Sequence, residues 1–175
     1  MSDASSNPVA QGLAKRIEQQ TQPNGASCTQ TCIAMALGVP VAELGVPLDN
    51  GLDFDDFGVY LAERGVWLRR CIIVDGRGER FQQGCVYIVG VRSLNLIGGD
   101  HAVILDARGE ATNTNPRSGW KFYDPNVGRD GLKVYTWVDD TGQVVDFCEL
   151  RDRSRWGVVC VGNKPAPAVE TKAAP

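Results

Sequence analysis

Gln22-Pro23-Asn24-Gly25-Ala26-Ser27-Cys28-Thr29-Gln30-Thr31-Cys32-Ile33-Ala34-Met35-Ala36-Leu37-Gly38 combines a turn, a helix start and a thiol at that start. Pro23, Asn24 and Gly25 interrupt any preceding regular structure. Ser27 followed three residues later by Gln30 is a capping-box pattern, which predicts Ser27 as the N-cap and Cys28 as the first helical residue. Free backbone N–H groups and the positive end of the helix dipole at that position favour a thiolate over a thiol. Cys32 falls one turn later among Ile33, Ala34, Met35 and Leu37, where a buried, inert thiol is expected.

A thiol so placed becomes a nucleophile when a base reaches it, and the chain holds one histidine, His101. It opens His101-Ala-Val-Ile-Leu-Asp106, a run suited to a buried strand, directly after the turn Gly98-Gly99-Asp100. Trp120-Lys-Phe-Tyr-Asp124-Pro125-Asn126 reads as another strand that ends at a carboxylate and a breaker. Antiparallel neighbours, one starting with His and the other ending with Asp, would place both side chains at one end of a sheet. There the carboxylate can fix the imidazole tautomer, the third-group logic of an activated nucleophile. Asn126 is the second choice for that orienting role.

The order Gln22, helix-start Cys28, strand His101, strand-end Asp124 resembles the papain-like cysteine peptidase superfamily. Cys28-x-x-x-Cys32-Ile-Ala-Met is similar to the nucleophile helix of bacteriocin-leader-processing peptidases, and Gly51 through Gly65 to their second helix. Asp124-Pro125-Asn126-Val127-Gly128 resembles the Asp-Pro-Asn-x-Gly segment of YopT-like effector proteases. Together the resemblance covers roughly residues 20 to 130, with Thr29 where the leader-processing peptidases usually carry Gly. It implies an α+β fold, with N-terminal helices packed on a mostly antiparallel sheet. It further implies Cys28 as nucleophile, His101 as general base and acid, Asp124 as orienter and Gln22 as a side-chain oxyanion donor.

With 175 residues, 43% of them hydrophobic and 22% charged, the chain matches an ordinary globular domain. A net charge of −3 without a basic run gives no support for nucleic-acid binding. Nor does any apolar stretch approach the roughly 20 residues that a spanning helix needs. The six cysteines, Cys28, Cys32, Cys71, Cys85, Cys148 and Cys160, lack Cys-x-x-Cys spacing and have one histidine beside them, which argues against zinc. Cys71, Cys85, Cys148 and Cys160 sit in apolar runs where a free thiol behaves as a small hydrophobe. No cofactor or metal is expected, and Gly76-Arg77-Gly78 lacks the following helix that a nucleotide-binding loop requires.

In chain order, residues 1–8 read as a disordered start, 9–162 as one catalytic domain, and 163–175 as a Pro- and Ala-rich disordered tail. Val9 to Gln20 is expected as a short amphipathic helix with Leu13 and Ile17 on one face. Gly38-Val39-Pro40 stops the nucleophile helix, and Val39 to Asn50 reads as loop. A second helix capped near Asp53 would carry Phe54, Phe57, Tyr60 and Leu61 on one face and close at Gly65. Strands are expected at Val66–Val74, Cys85–Val91, Lys133–Val138, Gln143–Leu150 and Trp156–Val161, with a polar turn at 75–80, a surface loop at 111–119 and an exposed charged turn at Arg151–Arg155.

Three functional classes fit these residues. The first is a peptidase or amidase working through an acyl-enzyme; the second is a glutamine deamidase or acyltransferase toxin with the same trio; the third is a catalytically inactive binding domain. The partners implied are a protein or peptide substrate and a cognate inhibitor or immunity protein. The first residues lack the charged start and apolar middle of a secretory signal. Synthesis in the cytoplasm is therefore expected, with a signal-peptide-independent export route open by analogy to effectors.

Overall fold

A computed structural model of the chain describes residues 12–48, 54–71, 73–74, 77–78, 81–110, 112, 117–137 and 144–152. It is an α+β structure built on a five-stranded antiparallel sheet. The strands are β1 (Val66–Cys71), β4 (Val86–Arg92), β5 (Asp100–Asp106), β6 (Lys121–Tyr123) and β7 (Val144–Asp152), in spatial order β1-β7-β4-β5-β6. Two helices accompany it, α1 (Cys28–Leu37) and α2 (Gly58–Glu63), the latter continuing a 3₁₀ turn over Phe54–Phe57. A small hairpin, β2 (Ile73–Val74) with β3 (Arg77–Gly78), stands apart from the sheet.

α1 is buried on all sides: every residue from Thr29 to Leu37 is shielded. From Cys32 onward α1 is apolar all round, as a core helix must be, and it fills one face of the sheet through Ile33, Met35 and Leu37 against Ile88, Ala102, Ile104 and Cys148. Each such fully buried aliphatic side chain contributes about 1.5–3 kcal/mol. Strict alternation along β4 and β5 sends Tyr87, Val89, Val103 and Leu105 to the other face, where they meet Phe147 and Phe81. Gly38 ends α1 in the left-handed conformation (φ 69°), with its N–H on Met35 O and the Val39 N–H on Ala34 O, a Schellman closure.

Several expectations require correction. Residues 12–20 form no helix: Gly12 adopts φ 87°, and Gly12 N–H and Ala14 N–H bond Arg64 O and Ala36 O instead. The spacing of Leu13 and Ile17 that suggests a helix arises in a strap laid along the body, where Ile17 is still buried. Ser27 precedes α1 as expected but does not cap it; its hydroxyl turns back to Asn24, and the Gln30 amide donates to Pro47 O, so no capping box forms. Val41–Glu43, within the segment read as loop, is a 3₁₀ turn.

The single strand expected over Val66–Val74 divides into β1 and β2, and the polar turn at 75–80 contains β3. Lys133–Trp137 is not a strand, because its backbone is claimed by side chains: Asn95 bonds both Lys133 N–H and Lys133 O at 2.8 Å. Arg151 and Asp152 belong to β7, opposite Trp67 and Val66, rather than to an exposed turn. Trp156–Val161, Cys160, Asp53, most of the 111–119 loop and both expected disordered ends lie outside the described residues. Among the described residues no helix is long and apolar enough to cross a membrane.

Ile104, fully buried between sheet and α1, is a test of this packing. Ile104→Ala should lower unfolding free energy by about 2–5 kcal/mol in urea melts with the slope unchanged. A loss below about 0.5 kcal/mol would contradict the helix-on-sheet core.

Candidate active site

α1 presents Cys28 at its first turn, and β5 presents His101 as its second residue. Ser27 supplies no side-chain cap, so the Cys28 N–H remains uncommitted at the dipole's positive end. β6 runs antiparallel to β5 with Ile104 opposite Tyr123. Continued three residues, that register would set Asn126 across from His101. Pro125 instead ends the strand, and Asp124 turns its carboxylate to the imidazole.

Asp124 is 2% exposed, yet both of its oxygens are satisfied. Oδ1 lies 2.7 Å from His101 Nε2 and accepts the Asn126 N–H at 2.7 Å, while Oδ2 accepts the Tyr135 N–H at 2.7 Å. Burial opposes ionisation of Asp124, but the bonds from His101, Tyr135 and Asn126 hold its pKa below the ordinary carboxylate value. Nε2–H is thereby committed to Asp124, and Nδ1 is left for the sulfur. Asn126 Nδ2 approaches the same Nε2 at 3.3 Å. Both atoms are donors once Nε2 carries its proton, so this is a packing contact rather than a hydrogen bond.

Cys28 and His101 shift in opposite senses. Burial raises the Cys28 thiol, but hydrogen bonding and charge from His101 outweigh it, helped by the Ala102 backbone and Thr29, and the pKa falls below the ordinary thiol value. Burial lowers His101, and hydrogen bonds and charge from Asp124 and Cys28 overturn that, raising it to about 9. Both shifts favour the same pairing, thiolate beside imidazolium. Cys32 goes the other way: complete burial and the negative charge of Cys28 and Asp124 push its thiol well above the usual range.

Gln22 is held beside this group by its own N–H, which donates to Pro125 O at 2.8 Å. The residue is 3% exposed. Gln22 Oε1 has no hydrogen-bond partner, and its amide nitrogen has no acceptor among the described residues. A buried acceptor without a partner is costly, about 1–3 kcal/mol, and the orphaned atom here is the amide oxygen. Thus Cys28, His101 and Asp124, predicted separately, meet in one place, and the Gln22 backbone is tied to the residue that follows Asp124.

Sequence reading missed three supports. The Tyr135 N–H on Asp124 comes from a segment taken for a strand, and a backbone donor leaves no mark in residue type. Gln19 Nε2 donates to Asp124 O at 2.9 Å, tying the strap to the site. On the far face of the sheet, Glu149 is buried and accepts from Arg69 Nε at 3.2 Å, from Arg151 Nε and from the Cys85 thiol at 3.1 Å. Cys85 packs against the aromatic layer as the small hydrophobe expected, and its thiol is in addition a donor to Glu149.

Among the described residues, Cys28, Cys32 and Cys85 are in no disulfide. Among the described residues no cluster of His, Cys, Asp and Glu is placed to hold a metal. Compared with protein-family models, curated proteins and solved structures, the chain matches none.

Alkylation by iodoacetamide at neutral pH should fall on Cys28, disappear in Cys28→Ala and persist in Cys32→Ala. Because burial alone raises the thiol, His101→Ala should move the alkylation inflection above about 8.5; an unchanged inflection would show that the imidazole does not reach the sulfur. Asp124→Asn loses one acceptor and strands a buried N–H, so it should cost about 1–3 kcal/mol in denaturant melts as well as slow alkylation.

Proposed function

We propose that this chain is a thiol hydrolase of papain-like type, a cysteine peptidase or amidase that works through an acyl-enzyme. The observation that carries the reading is the buried line in which His101 hydrogen-bonds the Cys28 thiol and, through Nε2, Asp124 Oδ1 at 2.7 Å. An ion pair of this kind serves no packing purpose at the start of a buried helix. The α+β arrangement, with the thiol at a helix start over an antiparallel sheet, agrees with the papain-like resemblance in the residues at 20–130.

The thiolate of Cys28 attacks a carbonyl carbon, and the C=O π pair moves to oxygen. The Cys28 N–H and the Gln22 amide are the donors to that oxyanion; loss of one such donor typically costs ~10²–10³ in turnover. His101 then gives its proton to the leaving nitrogen, the C–N bond breaks, and a thioester remains on Cys28. Water attacks the thioester while His101 takes up its proton, and the S–C bond breaks to regenerate the pair.

The second reading keeps the same steps and changes the nitrogen released: a side-chain amide of glutamine would give deamidation, and an amine acceptor in place of water would give acyl transfer. A binding domain without activity is the third, and the buried line Cys28–His101–Asp124 speaks against it, since nothing in such a domain requires a thiol hydrogen-bonded to a carboxylate-held imidazole. An effector or toxin role, with a protein target and an immunity or inhibitor partner, rests on analogy with the resembled families.

Mass spectrometry of candidate proteins and peptides incubated with the chain separates these readings. New termini mean proteolysis, and a gain of about 1 Da on glutamine, from exchange of NH for O, means deamidation. Either product should be absent with Cys28→Ala and fall by ~10²-fold or more with Gln22→Ala. Products that persist in Cys28→Ala would overturn the hydrolase.

A further inference from the structure

The end of β5 remote from His101 opens on a cavity of about 490 Å³ between the strap and the sheet edge. Lys15 and Arg16 from the strap, Arg108 after β5 and Lys121 on β6 line it, with Tyr123 at its wall. Two carboxylates share the cavity, Asp106 and Asp152, but both are engaged. Asp106 holds the Arg108 guanidinium through Nε and Nη2, each at 2.8 Å, and Asp152 accepts the Leu13 N–H. Lys15, Arg16 and Lys121 have no ion-pair partner among the described residues, and the Tyr123 hydroxyl has no hydrogen bond there.

Concentrated positive charge is unexpected on a chain of net charge −3. Lys15, Arg16, Arg108 and Lys121 outnumber Asp106 and Asp152 in the cavity, and the positive excess that remains favours an anion. The cavity is also built rather than incidental. Arg108 is fixed on three sides, since its Nη1 also donates to Ala14 O at 2.6 Å. Its floor is a crossing of Gly109 and Gly119 so close that a Cβ on Gly109 would come within 1.9 Å of Gly119 O. Mobile ammonium and guanidinium groups around a rigid guanidinium, with a spare phenolic donor, match the many acceptor oxygens of a phosphoryl group.

We infer that this cavity binds a small phosphorylated ligand, its dianionic phosphoryl group held by Lys15, Arg16 and Lys121 with Tyr123 O–H as a further donor. The concavity and volume suit a soluble small molecule. The site is separate from the Cys28 group and stands whether or not the hydrolase reading does. It borders that group all the same: Tyr123 directly precedes Asp124, and the strap that carries Lys15 and Arg16 continues to Gln19 and Gln22.

Inorganic pyrophosphate is a suitable probe on the full chain, read by thermal melts and calorimetry with chloride at matched ionic strength as reference. A saturable rise in Tm of a few degrees is expected with pyrophosphate and not with chloride. In the triple variant Lys15→Ala, Arg16→Ala, Lys121→Ala, affinity should fall at least about tenfold, while Tm without ligand stays level or rises as repulsion is relieved. Lys121→Ala alone should show a smaller loss in the same direction. No saturable shift in the unaltered chain, an equal shift with chloride, or full affinity in the triple variant would overturn the site.

Discussion

One buried carboxylate holds the candidate site together. Asp124 gathers three N–H donors from three parts of the chain: the imidazole on β5, the Asn126 backbone two residues on and the Tyr135 backbone eleven residues on. A carboxylate so far from water survives as an anion only because each oxygen is used, and its charge in turn makes imidazolium the favoured form of His101. The imidazolium then draws the proton balance of Cys28 toward thiolate. The electrostatics run in one direction, from a structural anion through a ring to a sulfur.

The sheet and α1 provide the rigidity that this chain of bonds requires. A shift of even one ångström between sulfur and imidazole weakens such coupling, and α1 has little room to shift, being enclosed from Thr29 to Leu37. The strap along residues 12–22 adds a brace, bonded to Ala36 and Val39 near the end of α1 and to Asp124 O beyond β6. It joins the thiol element to the carboxylate element without passing through the sheet. The Glu149 cluster on the opposite face pins β1, β4 and β7 by ionic contacts in an otherwise aromatic layer.

What could be read from residues alone follows a physical pattern. The α1 boundaries were legible because turn formers precede Cys28 and Gly38 follows Leu37, and both signals act locally. His101 and Asp124 were legible because one histidine leaves no choice of base and because Pro125 marks where a strand must stop. The strap was misread since apolar residues four apart also occur in extended chain that wraps a core. Lys133–Trp137 was misread because its β-rich composition gave way to side-chain bonds from Asn95, contacts of long sequence separation. The roles of Tyr135 and Ala102 had no sequence signal at all, for each acts through its backbone. Glu149 appeared as one charge in a strand, and only the fold brings Arg69 and Cys85 to it.

The central claim is that an imidazolium and a thiolate coexist at neutral pH, and the chain's single histidine permits a direct measurement. Nitrogen-15 NMR of the His101 ring across pH 5 to 11 should show both nitrogens protonated at neutral pH, with the proton leaving near pH 9. In Cys28→Ala that transition should move down, because the sulfur's negative charge is gone. A neutral ring at pH 7 that titrates at or below about 6.5, and that is indifferent to Cys28→Ala, would contradict the account.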